Sequence, residues 1–462
     1  MRWDTKWELS LFQANDMDAI AGHFERMEAK GWRLEDIDSW GYRYRRVEPG
    51  KVRYAAACFP DASVYDPAPT EGQETYIEYC QAAGWELAAV YGPLQYFRSV
   101  LPDPVPVETD EAVKLTAVRR TMGKTLLPSC GLGILLAMMY LVMQSGSFRM
   151  DPLEYFSRDL YLSLLLLLGG LFLYCVGLLA DYLVWVLRSR RAVAGGGACV
   201  KPCTRLRMAA SVGMLALTAV CLGLMCRDML GRRMGATLAL YLAVYALLIL
   251  TAGRVLKWIK RRSGSRGEVR GKYFVYAIAA GVLAAVVLTI SALALGGGRR
   301  EPEEVYVKEY PGGEAIEWNI YRDPLPVTLE ELGYPVAEED HCTYEAEVHR
   351  SFLASHGTYR QRAIAYGSEL PEMEYTVTVM GWDWLRGICW ERFLEKKDEP
   401  ELWPLRELDP APWGALEAYQ QDDLAIYYLL YPDRIITLNL WSGISPRQVE
   451  DVLRPLLAEC RE

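Results

Sequence analysis

Five stretches of this chain are too long, too apolar and too poor in charge for the core of a soluble domain, and they constrain the fold more than any other feature. They are Leu126–Met143, Leu160–Leu187, Met208–Cys226, Met234–Leu256 and Tyr273–Leu295. A helix crosses a bilayer core with about 20 mostly apolar residues, because no water is present there to satisfy backbone polar groups. The second stretch is longer than a span requires and is expected to tilt or run past the interface. The first is the weakest, because Pro128, Gly131 and Gly133 thin its start. The expected fold class is a multi-domain membrane protein. An N-terminal α+β domain (1–105) and a linker (106–125) precede an α-helical transmembrane bundle of five helices (126–295). A second linker (296–312) and a C-terminal α+β domain (313–462) follow.

Lys and Arg in short loops set the orientation of such a bundle. One side holds four before the first span (Lys114, Arg119, Arg120, Lys124), six between spans two and three, and seven between spans four and five, seventeen in all. The other side holds seven: Arg149, Arg158, Arg227, Arg232, Arg233, Arg299 and Arg300. The first side is expected to be cytoplasmic, with the N-terminal domain inside and, after an odd number of spans, the C-terminal domain outside. Met1–Ser10 has no apolar signal-peptide core, which agrees with an N-terminus that stays in the cytoplasm.

Charge divides by region. Residues 1–120 carry 14 Lys+Arg and 20 Asp+Glu, residues 121–298 carry 20 and 6, and residues 299–462 carry 16 and 33. Neither flank is basic, which argues against nucleic-acid binding. The basic loops belong against the inner leaflet, where anionic lipid attracts them.

Ionisable groups inside spans flag function in membrane proteins. Asp181 is the one carboxylate in a span, seven residues before Arg188, which places it at the cytoplasmic interface. Arg254 is near enough to its helix end to snorkel. No acidic chain resembles a proton relay, and no pair of broken helices resembles a transporter site. Ala277, Gly281 and Ala285 form a small-residue row suited to close helix packing.

The N-terminal flank reads as strand–helix–strand–strand, twice. Trp7–Phe12 is a strand, and Asn15 or Asp16 caps a helix whose apolar face is Met17, Ile20, Ala21, Phe24 and Met27. Trp32–Ser39 and Tyr42–Val47 follow Gly31. The second unit has a strand Val52–Phe59, a helix Glu74–Ala83, then Trp85–Tyr91 and Leu94–Val100 after Gly84. An offset of 53 pairs Gly31 with Gly84, Trp32 with Trp85, Leu34 with Leu87, Tyr44 with Phe97, Arg45 with Arg98 and Val47 with Val100. This is an internal duplication, and the expected product is a mainly antiparallel sheet covered by two helices. His23 is expected to be a partly exposed helix residue. Tyr42 and Tyr44 alternate with Arg43 and Arg45, giving one packed and one solvated face.

The segments HFERMEAKGWRLEDIDSWGYRYRRV and GWELAAVYGPLQYFRSV, followed by membrane spans, resemble the bacterial domain-of-unknown-function 2812 family over about the first 100 residues. The resemblance implies membrane proteins, mostly of Gram-positive bacteria, with no assigned enzyme activity. Their genes often lie beside PadR-type transcriptional regulators, which points to a response or signalling role. No functional residues are assigned in the family, so none carries over.

In the C-terminal flank, strands are expected at Ala315–Tyr321, Thr343–Phe352, Tyr359–Tyr366 and Tyr375–Met380, with a helix at Trp384–Phe393 and a hairpin from Leu424–Tyr431 and Arg434–Trp441. Thr328 caps a short helix through Leu332. Ser445, Pro446 and Gln448 begin a final helix with a capping box. His341, Cys342, His349 and His356 are the one cluster with ligand chemistry, and a strand over Thr343–Phe352 does not oblige His349 and His356 to converge. Glu338, Glu339 and Asp340 read as a solvated acidic turn rather than a calcium loop. Cys199 and Cys203 have no partner ligands for a metal. Cys342, Cys389 and Cys460 are odd in number, so no bridge is assigned. Trp382, Trp384, Trp390, Trp403 and Trp413 are dense; most belong in a core, and an exposed subset suits a peptide or glycan. No nucleophile motif is present.

These observations assign no catalytic, cofactor-binding or metal residues and no cofactor. The leading expectation is a non-enzymatic membrane protein. Its inner domain serves a cytoplasmic protein partner, and its outer domain binds or senses an envelope ligand. A membrane enzyme or transporter centred on Asp181, and a structural subunit of a membrane complex, are the alternatives.

Overall fold

A computed structural model describes residues 4–38, 41–231, 235–295, 302–309, 315–364, 370–398, 404–421 and 426–440. The chain divides into two compact units. One comprises Met1–Met139, Leu167–Leu222 and Met229–Gly297, the other Tyr140–Leu166, Gly223–Asp228 and Gly298–Glu462.

In the first unit the duplication is present in three dimensions. The first repeat is β1 (Thr5–Leu9), α1 (Met17–Ala29), β2 (Trp32–Ile37) and β3 (Gly41–Arg46). The second is β4 (Arg53–Cys58), α2 (Glu71–Ala82), β5 (Glu86–Tyr91) and β6 (Leu94–Ser99). Each repeat forms its own three-stranded antiparallel sheet, ordered β1-β3-β2 and β4-β6-β5, instead of the single sheet expected. The register repeats as well: Leu34 pairs with Tyr44 as Leu87 pairs with Phe97, and the pairing slips between Leu34 and Asp36 as it does between Leu87 and Ala89. A bulge twists a strand and interrupts its ladder. Both β2 and β5, the outer strands that face the other repeat, carry one, so the two sheets meet by side-chain packing rather than by a shared ladder. Gly31 and Gly84, at φ 82° and 87°, end the two helices in the left-handed region.

One core is shared by the two sheets, and a separate one of Ala57, Ile77, Cys80, Trp85 and Phe97 lies between α2 and its own sheet. Phe24 is 1% exposed and meets the rings of Tyr42, Tyr54 and Tyr96 at centroid distances of 4.9, 5.6 and 5.5 Å. Beside it, the buried Glu28 carboxylate on α1 accepts from Arg98 Nη2 at 2.8 Å and from the Tyr54 hydroxyl at 2.6 Å. These bonds to the charged form hold the Glu28 carboxyl below its usual range, against the opposing effect of burial.

Among the described residues, five helices are long and apolar enough to cross a membrane. They are α3 (Glu111–Met150), α5 (Asp159–Ala194), α6 (Thr204–Gly231), α7 (Gly235–Arg261) and α8 (Arg266–Leu295), with the short α4 (Pro152–Tyr155) between the first two. Between 0% and 22% of each apolar window is buried within the chain. So much exposed aliphatic surface suits contact with lipid. Helix α3 begins at Glu111, inside the stretch expected to be a linker, and Pro128 does not break it. Proline leaves a carbonyl one turn back without its donor. Beside that gap, the Ser129 hydroxyl donates to the carbonyls of Thr125 and Leu126, at 2.9 and 3.0 Å. Those carbonyls are neighbours of the one Pro128 leaves open, that of Lys124.

The second unit centres on a seven-stranded antiparallel sheet. Along the chain, β7 (Glu304–Glu309) and β8 (Ala315–Ile320) form a separate hairpin. Then come β9 (Cys342–Arg350), β10 (Ala354–Ala363), β11 (Met373–Met380), α9 (Asp383–Lys397), β12 (Leu405–Glu407), β13 (Glu417–Gln421), β14 (Ile426–Leu430) and β15 (Arg434–Leu440). The strand order is β12-β13-β14-β15-β11-β10-β9. The Thr328–Leu332 segment is a pair of turns rather than a helix. Leu329 and Leu332 are held in the core by the sheet without a helical turn. The expected helix after Ser445, with Trp403 and Cys460, lies outside the described residues.

A loop from the helical region completes this core. Leu153 on α4 is 2% exposed and packs among Met380, Cys389, Trp390, Phe393 and Tyr428. Asp151 caps α4 by accepting the Glu154 N–H at 2.9 Å, and Pro152 takes the first helical position. The Ser351 hydroxyl donates to the carbonyl of Phe156 at 2.5 Å.

Candidate functional site at the seat of the N-terminal domain

Asp16 stands at the N-cap of α1, where an aspartate ordinarily accepts N–H groups of the first turn. Here it makes no such cap. Its carboxylate accepts the Gln13 N–H at 2.9 Å, the Thr204 hydroxyl at 2.6 Å and the Arg207 guanidinium. Arg207 Nη1 reaches Asp181 Oδ2 at 2.8 Å. The side chains of Asp16 and Arg207 are 0% and 3% exposed, and that of Asp181 is 31%. One guanidinium on α6 therefore joins a carboxylate of the N-terminal domain to a carboxylate of α5. Removing one partner of a buried ion pair leaves an uncompensated charge, which costs about 3–5 kcal/mol.

The surrounding contacts are of two kinds. Apolar packing runs from Ala14, Met17 and Cys58 of the domain onto Leu115, Val118 and Met122 of α3, and on to Tyr182, Trp185 and Val186 of α5. The loop between α5 and α6 is stitched down. Trp185 Nε1 donates to Val200 O at 2.7 Å, and the Cys199 N–H donates to the Glu111 carboxylate at 2.9 Å. Around the rim, Lys114 pairs with Asp18 at 3.9 Å, Lys124 with Asp61 at 3.9 Å and Lys257 with Asp36 at 3.4 Å, and Arg266 pairs with Asp66. Exposed pairs of this sort are worth less than about 1 kcal/mol each. The acidic domain thus occupies basic side chains that the sequence would leave to anionic lipid.

A second polar group lies under the start of α3. Glu108 is mostly buried, and its Oε2 has no partner among the described residues; the nearby Tyr76 hydroxyl has none either. Burial pushes the Glu108 carboxyl up to about 7, which Lys114 only partly opposes. A carboxyl raised in the folded state contributes stability that is fully present below its unfolded value and is lost as pH rises through about 7. Between pH 5 and pH 8 the chain is expected to lose on the order of 2 kcal/mol from this group. Glu108→Gln should remove that increment of the pH dependence. The check is the difference between wild type and variant in unfolding midpoint at the two pH values. An unchanged difference would sink it.

The residues singled out from sequence are distributed as follows. Asp181 is in the cluster just described. His23 lies against Tyr44 Oη and Glu8 Oε1, at 3.2 Å from each, and burial lowers its proton affinity. Tyr42 and Tyr44 are fully packed, while Arg43 and Arg45 face outward onto Asp36 and Glu35. Arg254 is exposed. The row Ala277, Gly281 and Ala285 is exposed too, and nothing lies within 4 Å of a Cβ placed at Gly281, so the row makes no close packing among the described residues.

In the second unit His349 and His356 are direct cross-strand partners on β9 and β10. His356 Nδ1 lies 2.7 Å from Thr378 Oγ1, and His349 Nε2 lies 2.9 Å from Glu347. His341 stacks on Tyr306 at 4.0 Å instead. No group of three potential metal ligands occurs among the described residues. Cys342 and Cys389 are free thiols. Trp390 is core, whereas Trp382 and Trp384 are 54% and 63% exposed.

Sequence reasoning found Asp181 but missed Asp16 and Arg207 as its companions. Arg207 was visible as a basic residue at the start of a span. Nothing in the spacing connects it to a residue 191 positions earlier.

Residues 16–130 match a family model described as "Protein of unknown function (DUF2812)". The match runs from Asp16 through both repeats into the first half of α3 as far as Cys130, so it takes in the domain side of the seat and its apolar floor on α3. No curated protein matches the chain, and no solved structure does.

Proposed function

We propose that the protein is a non-enzymatic, multi-pass membrane transducer, with the N-terminal domain in the cytoplasm and the C-terminal domain outside the membrane. The outer domain takes up an envelope ligand or senses envelope state, and the inner domain presents the result to a cytoplasmic protein. The observation that carries this reading is the Asp16–Arg207–Asp181 cluster, which ties the position of α1 to α5 and α6. Helix α3 is unbroken over 40 residues, about 60 Å at 1.5 Å per residue. The basic loops favour the same orientation. Asp181, which a site within the bundle would need free, is already engaged by Arg207.

Two measurements test separate parts of the reading. For orientation, an impermeant thiol reagent is applied to whole cells expressing variants with one exposed cysteine, either native Cys203 or Val348→Cys. Labelling at 348 and not at 203 is expected; the reverse pattern overturns the assignment. For the relay, Leu153→Asp is made in the otherwise native chain, and modification of Cys199 is followed in detergent. Loosening the outer core should raise the Cys199 rate by roughly threefold or more, a shift of under 1 kcal/mol in local opening. A rate identical to wild type would rule out coupling along the helices.

A further inference from the structure

A groove of about 550 Å³ opens between α1 and the start of α6, with Phe12, His23, Arg26, Cys203, Arg205 and Met208 in its walls. Its two arginines contrast with the cations that hold the N-terminal domain in place. Lys114, Lys124, Arg207, Lys257 and Arg266 each have a carboxylate of the N-terminal domain within 4.0 Å. Arg26 and Arg205 are exposed and have no carboxylate in ion-pair reach among the described residues. Asp18, the one carboxylate on the groove wall, is on Lys114. Arg26 is folded back along α1, where its Nη1 lies 3.5 Å from the position a Cβ would take at Gly22. Burial lowers the proton affinity of His23 beside them, against the pull of Glu8.

The floor of the groove is apolar and continues outward. Met208, Val212 and Leu215 follow the i, i+4, i+7 spacing of one helix face. Val212 and Leu215 are 53% and 50% exposed on the candidate span. Two free guanidinium groups above an apolar helical stripe match an amphiphile with an anionic head. Guanidinium groups bind phosphate oxygens in a forked, charge-assisted geometry.

We infer that this groove binds the phosphate headgroup of an anionic phospholipid from the surrounding leaflet, with Arg26 and Arg205 on the phosphate and the Met208–Val212–Leu215 stripe against an acyl chain. Cys203 in the wall supplies the readout. The full chain is placed in nanodiscs of phosphatidylcholine, with or without phosphatidylglycerol, and treated with a soluble maleimide. Modification of the Cys203 peptide is then followed by mass spectrometry. Phosphatidylglycerol should slow it about tenfold, the equivalent of 1.4 kcal/mol. The protection should disappear in Arg26→Gln/Arg205→Gln and persist in Arg190→Gln/Arg191→Gln, which removes the same charge from the exposed end of α5. Equal rates in the two lipids overturn the inference. So does equal loss of protection in both double variants, which would mean diffuse surface attraction. Glycerol phosphate added to phosphatidylcholine discs should not protect. Protection by it would overturn the lipid assignment in favour of a free phosphate compound.

Discussion

Arg207→Met is expected to destabilise the seating of the N-terminal domain by about 3–5 kcal/mol, because it leaves the buried Asp16 carboxylate without a counter-charge and removes the partner of Asp181. The measurement is chemical unfolding of the full chain in detergent micelles, with limited proteolysis between the domain and the helices as a second probe. Arg207→Lys should fall between wild type and Met: an ammonium keeps the charge but lacks the fork that reaches both carboxylates. The triple change Asp16→Asn/Arg207→Met/Asp181→Asn separates two explanations. If the cost of Arg207→Met is the stranded charge, neutralising all three should recover most of the loss, since apolar replacements of buried ion clusters are often neutral or better. A loss below about 1 kcal/mol for Arg207→Met would show that the apolar contacts of Ala14, Met17 and Cys58 hold the domain without it.

Leu153→Ala should cost the C-terminal domain about 2–5 kcal/mol, the range for a leucine emptied from a packed core. The size reflects the neighbours: the rings of Trp390, Phe393 and Tyr428 are fixed by α9 and the sheet and cannot collapse far into the gap. Leu153→Met, which nearly conserves volume, should cost less than about 1.5 kcal/mol. Both are read as shifts in the unfolding transition of the full chain. If the alanine variant behaved like the methionine variant, α4 would be a surface passenger on this domain rather than part of its core.

Much of this architecture could be read in advance, and the reasons are local. Helices of apolar residues, glycines that stop α1 and α2, and a 53-residue repeat are all written in neighbouring residues. The bulge that recurs at Leu34 and Leu87 came only with the structure. What could not be read depends on distant residues. Two sheets formed where one was expected, because whether β2 and β5 share a ladder depends on how their bulged edges meet. The Asp16–Arg207 contact joins positions on separate elements that carry no matching periodicity. The role of Leu153 left a trace in the run Pro-Leu-Glu-Tyr-Phe, apolar yet far too short to span, but only the sheet shows what that run fills. Likewise, the pairing of His349 with His356 follows from the β9–β10 register, which the strand boundaries alone did not fix.

The place of Leu153 also bears on biosynthesis. Its short helix leaves the ribosome before the last three candidate spans have been made, and long before β9 to β15 exist to receive it. The loop must therefore wait while the remaining helices are made, and the C-terminal domain can close its core only after that. A C-terminal fragment expressed alone from residue 302 would lack this leucine and the aromatic side chains beside it, Phe148 and Phe156. Closure of the C-terminal core thus joins the first synthesised loop of the helical region to the last strands of the chain.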